Sequence, residues 1–449
     1  MTVTNSDKQG MKAIHYLGFV FGVFLLTGLE KMFGSSAIPG AQPESPIAIV
    51  DATIVPVTSP LIESGTLLID NGKIVALGAD VTIPRGAIKL SASGRFVYPG
   101  LFNSDGLLGL VEVNSVRATR DFAETGDLNP NLKVETAVNP DSELIPVTRS
   151  GGVLLSLSAP RSGLISGTSA ILQMDGWTWE EMTLEAPSGI HVNWPRVRWA
   201  EATDSKKRQG SAAASIQRLR LFFEQSQAYL AALEAGASPP IDLKLAAMLP
   251  LLRGEIPMIV MAETVAQIQS AVAFAVEHSV RIVIYGGYDA ESCAGLLKAY
   301  DVPVIIGGIH RLPRRRSDPY DAPFTLPNRL RLAGVQFCIA ARDPFDAPNT
   351  RNLPYQAAHA VAFGLPHDEA LKAITISPAE ILGVSDRVGS LEVGKDATLI
   401  VTDGDPLETA THVEQAFIQG RPVDLSDRHK SLWKKYRERL RRLKGTTVD

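Results

Sequence analysis

The sequence predicts an α/β protein with a TIM-like (β/α)8 barrel in the middle of the chain. A small composite β-sandwich, formed by both ends of the chain, accompanies it. Three observations carry this. Residues 47–84 and 389–425 hold short β-branched apolar runs separated by Gly- and Asp-rich turns. Between them, short apolar runs alternate with stretches whose apolar residues recur every three or four positions. The length of 449 residues exceeds one ordinary domain and suits one large barrel plus an accessory domain.

In chain order, a polar start with two lysines precedes the unbroken apolar run 13–29, "AIHYLGFVFGVFLLTGL", and then "GSSAIPGAQPESP". This is the layout of an export signal or of an uncleaved N-terminal anchor. Next, "GTLLIDNGKIVALG" sets Asn71-Gly72 between two apolar runs, a strong hairpin signal. Barrel strands are expected at 97–102, 153–157, 170–174, 190–193, 256–261, 281–285, 302–306 and 335–340, with helices at 263–278, 291–300 and 355–363. The strands are apolar throughout, so both faces of a parallel sheet should be covered, and their number suits a barrel. An open doubly wound sheet is the alternative, but no Gly-rich phosphate fingerprint appears. The stretch 200–236 interrupts this rhythm with a strong helical pattern that suits a lid, an oligomer contact or an outer-ring helix.

The domain layout follows. Residues 1–41 form the signal or anchor, 45–96 with 386–424 the sandwich, 97–385 the barrel, and 425–449 a basic C-terminal helix. That tail places Leu432, Trp433, Tyr436, Leu440 and Leu443 along one side. Such a side packs on the protein body or lies on an anionic membrane; packing on the body is the expectation. Net charge is −4, which gives no global attraction to nucleic acid, although 427–449 carry nine Lys/Arg against three Asp/Glu. Cys293 and Cys338 are too few for a disulfide framework or a zinc motif. They suit buried apolar positions, with one bridge as the alternative. There is no G-x-S-x-G elbow, P-loop or zincin motif.

Four motifs carry a resemblance: "GTLLIDNGKIVALG", "VYPGLFNSDGLLGL", "ALKAITISPAEILGVSDRVGSLEVGKDATLIVTDGDPLE" and "AFIQGRPVD". In them the chain resembles the amidohydrolase superfamily, in its imidazolonepropionase-like branch. The resemblance implies the barrel with its composite sandwich and hydrolysis of non-peptide carbon–nitrogen bonds by metal-activated water. It also implies a divalent metal such as zinc, held by strand-end histidines. The residues at those positions differ. The His-x-His pair after the first barrel strand is replaced by Asp105 and Leu107. The later histidine positions fall near Met261-Ala262 and Gly286-Gly287, and the last-strand aspartate has a counterpart in Asp343, beside Arg342. The expectation is therefore no metal cofactor.

Two functional readings stand at this stage. One is a carbon–nitrogen hydrolase with a degenerate metal site. The other is a non-catalytic, exported binding or assembly protein that keeps the fold. Candidate catalytic residues are Asp343 and Asp105, and candidate substrate-binding residues are Glu112, Arg117 and Arg120 in the loop after the first barrel strand. Asp105, Glu112 and Asp343 could also form a carboxylate site for a harder ion. Asp105 needs a partner if buried, with Arg117, Arg120 and Arg342 as candidates. His191 and His310 lie near strand ends without a nearby histidine in sequence. A small-molecule ligand at the barrel mouth, membrane contact through the N-terminal segment and a homo-oligomer are compatible with the sequence, and a nucleic-acid partner is not expected.

Overall fold

A computed structural model describes residues 35, 37–196, 205–342 and 347–444. The apolar run 13–29 and Asp343 lie outside the described residues. Among the described residues no helix is long and apolar enough to cross a membrane.

Both ends of the chain build one sheet. Strands β1 (Ile47–Ile54), β2 (Ile62–Asp70), β3 (Lys73–Gly78), β4 (Ile88–Ser91) and β5 (Phe96–Pro99) come from the front. The β2–β3 turn is Asn71-Gly72, both at positive φ (47° and 80°), a two-residue hairpin geometry that glycine permits without strain. The barrel strands are β6 (Leu101–Gly106), β7 (Val153–Ser158), β8 (Ile165–Gln173), β9 (Thr183–Asn193), β10 (Met258–Ala262), β11 (Ile282–Gly286), β12 (Val304–Ile306) and β13 (Phe337–Ile339). The chain then returns to the first sheet as β14 (Leu399–Thr402), β15 (Val413–Ile418) and β16 (Arg421–Pro422), with β14 antiparallel to β5.

The barrel sheet runs in sequence order from β6 to β13. Seven strands share one direction, while β8 is antiparallel to both β7 and β9. The short β7–β8 and β8–β9 links explain the reversal: neither leaves room for a crossover helix. The seam between β13 and β6 is closed by a side chain, since Ala341 N donates to Asn103 Oδ1 at 2.8 Å. Phe102, Leu155, Ile259, Val283 and Ile305 fill the interior, and their neighbours along each strand face the outer helices. Cys293 and Cys338 are both buried and free, so the alternative of a bridge falls away.

Helix Val265–Glu277 starts at a capping box between Thr264 and Gln267. The helix predicted within 200–236 is Ser205–Glu234, lying outside the barrel, with Phe223 edge-on to Phe274 at 5.0 Å. The C-terminal helix Arg428–Lys444 departs from expectation. Its apolar side chains are exposed, so the expected packing against the body does not occur.

Candidate functional site

The strand that opens the barrel is buried along its whole length. Between Asn103 and Gly106 it carries one more residue than β7 does over the matching ladder, from Ser156 to Ser158. A bulge of this kind re-aims a side chain, and here it turns Asp105 inward. Asn103 fixes the bulge: its Nδ2 donates to Asp105 O at 2.7 Å and to Ser156 Oγ at 3.1 Å.

Asp105 is 2% exposed. Its Oδ2 accepts from Arg161 Nη2 at 2.6 Å and from the Tyr285 hydroxyl at 2.6 Å. Arg161 comes from the loop beyond β7, and Tyr285 from β11. The same Tyr285 hydroxyl accepts from Arg342 Nη1, whose guanidinium lies 5.0 Å from the tyrosine ring centroid and 3.7 Å from Met261 Sδ. One chain of charge-assisted contacts therefore spans the barrel from Arg161 through Asp105 and Tyr285 to Arg342. His191, on β9, is buried nearby, and its Nε2 has no hydrogen-bond partner among the described residues. Burial pushes it down to about 4, with Asp105 pulling up and Arg161 pushing down, so it is neutral at neutral pH. Burial pushes the interior Cys338 thiol up to about 12, with neighbouring Ser104 pulling the other way, which leaves it a poor nucleophile.

The other predicted site residues are not gathered around Asp105. Half-buried Glu112 lies near Ser142, Glu143 and Asn139; burial raises its carboxyl, and those polar neighbours offset part of the rise. Arg117 and Arg120 are exposed at a short turn, Arg117–Thr119, with Arg120 6.0 Å from the Phe122 ring. Of the expected partners of Asp105, Arg117 and Arg120 make no contact with it among the described residues, and Arg342 acts through Tyr285. The direct partner is Arg161, which sequence reasoning missed. The described residues contain no group of three or more His, Cys, Asp or Glu able to hold a metal ion.

A second missed cluster lies at the end of β10. Buried Glu263 accepts from Arg311 at 3.1 and 2.9 Å, lies 3.4 Å from Arg314 Nη1, and accepts from Tyr288 N at 3.3 Å. Burial pushes this carboxyl up, but Arg311 and then Arg314 outweigh it and hold it below its ordinary range. Arg311 also lies 4.8 Å from the Tyr288 ring. The available signal was the pairing of a strand-end acid in "IVMAE" with the loop "HRLPRRRSDP". His310 Nε2 and His359 Nδ1 meet at 2.7 Å, a pair that 49 residues of sequence separation concealed.

A barrel carrying a side sheet made of both chain ends is the architecture of the amidohydrolase fold class. The chain belongs to the amidohydrolase superfamily. Residues 333–423 match the amidohydrolase family. The crystal structure of an amidohydrolase from Thermotoga maritima MSB8 superposes with a TM-score of 0.75 at 26% identity, covering 84% of this chain and 99% of that one. Amidohydrolase tasK of Hapsidospora irregularis is 24% identical over 408 residues, 81% of this chain and 41% of that protein. Imidazolonepropionase of Brucella anthropi is 32% identical over 116 residues, 26% of this chain and 27% of that enzyme. The matches thus span less than half the length of these curated relatives.

Proposed function

We propose that this chain is a non-catalytic, exported binding or assembly protein built on an amidohydrolase barrel. In this reading a fixed ion network stands where the family would hold its divalent metal. The observation that carries it is the use of Asp105: its carboxylate is already engaged by the Arg161 guanidinium and the Tyr285 hydroxyl. Metal-activated water needs about three converging ligands and an open position. The donor set here does not fit that need. Leu107 is apolar and buried, Met261 is a thioether facing Arg342, and a Cβ at Gly286 would stand 3.1 Å from Glu263 Cδ. The apolar run 13–29 supports export or anchoring, and the strand C-terminal ends are where a barrel would take a small-molecule ligand.

The test is metal content. Protein purified without chelator from zinc-supplemented cells should hold substoichiometric zinc, and chelator should leave its melting temperature unchanged. A full equivalent of zinc whose removal lowers melting, together with zinc-dependent hydrolysis in a carbon–nitrogen substrate screen, would overturn the reading.

A further inference from the structure

The C-terminal helix is the most prominent feature that the barrel does not use. Asp427 roots it in the body: the Asp427 side chain is buried and accepts from Lys430 N at 2.9 Å, capping the first turn. Beyond that root, Leu432, Trp433, Tyr436, Leu440 and Leu443 are between 41% and 72% exposed. Projected at about 100° per residue, these five fall in an arc about 100° wide, and His429 is the only other member of it. No charged residue enters that arc. Arg428, Lys435 and Arg439 flank one edge, and Lys430 and Arg437 flank the other.

The helix holds nine Lys or Arg against Glu438 alone. Arg441 and Arg442 neutralise that glutamate internally and hold it down to about 2. Lys434, Lys435, Arg437 and Arg439 make no ion pair among the described residues. Arg437 instead lies 5.1 Å from the Trp433 ring and Lys435 lies 5.8 Å from the Tyr436 ring. Each of these cations sits at the edge of the apolar arc, so its charge lies at the same level as the aromatic girdle.

We propose that this helix docks on an anionic lipid bilayer, lying in the interface plane. The apolar arc would enter the acyl boundary while the flanking arginines and lysines meet lipid phosphates. An apolar arc bordered by basic side chains, with Trp and Tyr at its margin, is the pattern of interfacial helices. Charge complementarity selects the occupant. A second copy of the helix would bring a like charge onto this one. A nucleic acid would meet the cations but leave five large apolar side chains in water. An anionic membrane satisfies both faces together. The proposal does not depend on whether the barrel binds metal.

The test is site-resolved, because the N-terminal apolar run could itself enter membranes. Hydrogen–deuterium exchange of the full chain is followed in peptides from 428–444. Vesicles of phosphatidylcholine alone are compared with vesicles of phosphatidylcholine mixed with phosphatidylglycerol. Protection of this helix is expected to be far stronger with the anionic vesicles. Half-saturation should come at roughly 100-fold less lipid than on neutral ones, and added salt should weaken it. A Trp433→Glu and Leu440→Glu double variant should lose that protection while keeping the wild-type melting temperature, because these side chains do not pack on the body. Equal protection on neutral vesicles, or none on anionic ones, would overturn the proposal. So would protection that rises with protein concentration without lipid, which marks self-association. Protection by duplex DNA in place of vesicles would do the same.

Discussion

Replacing Arg161 with methionine removes the guanidinium that faces Asp105 and keeps most of the side chain's apolar stem. Asp105 is 2% exposed and Arg161 19%, so the carboxylate end of the pair is essentially dry and the arginine end is partly wet. Breaking a buried pair by removing one partner costs roughly 3–5 kcal/mol. The Tyr285 hydroxyl still donates to Asp105 and the site is wet on one side, which moves the expected loss to about 2–3 kcal/mol. With a urea m-value near or above ~3 kcal/mol/M, the unfolding midpoint should fall by about 0.5–1 M. The sign of a second change isolates the cause. Asp105→Asn should destabilise the wild type, because it weakens a charge-assisted contact. In the Arg161→Met background the same change should be neutral or stabilising, because it removes a buried charge without its partner. A midpoint unmoved by Arg161→Met, or Asp105→Asn equally costly in both backgrounds, would refute the claim that the two residues act as a buried ion pair.

Two further outcomes follow from the same geometry. His191 is held neutral in the fold at about 4 against an ordinary 6.5, so the unfolded chain binds its proton first; stability should be full above about pH 6.5 and fall by up to ~3 kcal/mol as pH drops toward 4, and His191→Gln should flatten that slope in pH-dependent urea titrations. Rebuilding the family's histidines as Asp105→His, Leu107→His, Met261→His and Gly286→His should lower the melting temperature and gain no bound zinc by elemental analysis, because Gly286 sits at φ +96° with Glu263 Cδ 3.1 Å from any Cβ; zinc-dependent stabilisation of that variant would show that only the ligands themselves had been lost.

Much of the fold was legible because periodicity and turn chemistry are local. Asn71-Gly72, the returning strands around "LEVGKDATLIV" and the alternating middle each announce themselves within a dozen residues. The antiparallel β8 was not legible, since an apolar run does not state its direction. The site was legible only at its first residue. The departure at Asp105 could be read from the strand motif, but its partner lies 56 residues away and belongs to a loop, where spacing carries no information. The arginines nearer in sequence, Arg117 and Arg120, were natural candidates and remain on the surface. The C-terminal apolar row was read correctly as a row. Whether a row faces the body or the solvent depends on where the preceding residues leave the helix, and here Asp427 anchors only its first turn.

The two strand-end acids share one physical solution. Asp105 on β6 is met by Arg161 from the loop beyond β7, and Glu263 after β10 is met by Arg311 and Arg314 from the loop beyond β12. In each case a carboxylate buried near the mouth is neutralised by a guanidinium delivered from another strand's loop. A divalent ion would also neutralise such acids, but it could keep an open position and lower the pKa of a bound water. A guanidinium does neither: it has donors only and stays protonated at any working pH. Pairing with arginine balances these buried charges and offers neither property. It also ties the β7 and β12 loops back across the barrel opening, with Tyr285 and Arg342 bridging toward β13. Loops braced in this way make a fixed surface, which is what the proposed holding of a ligand or a partner requires.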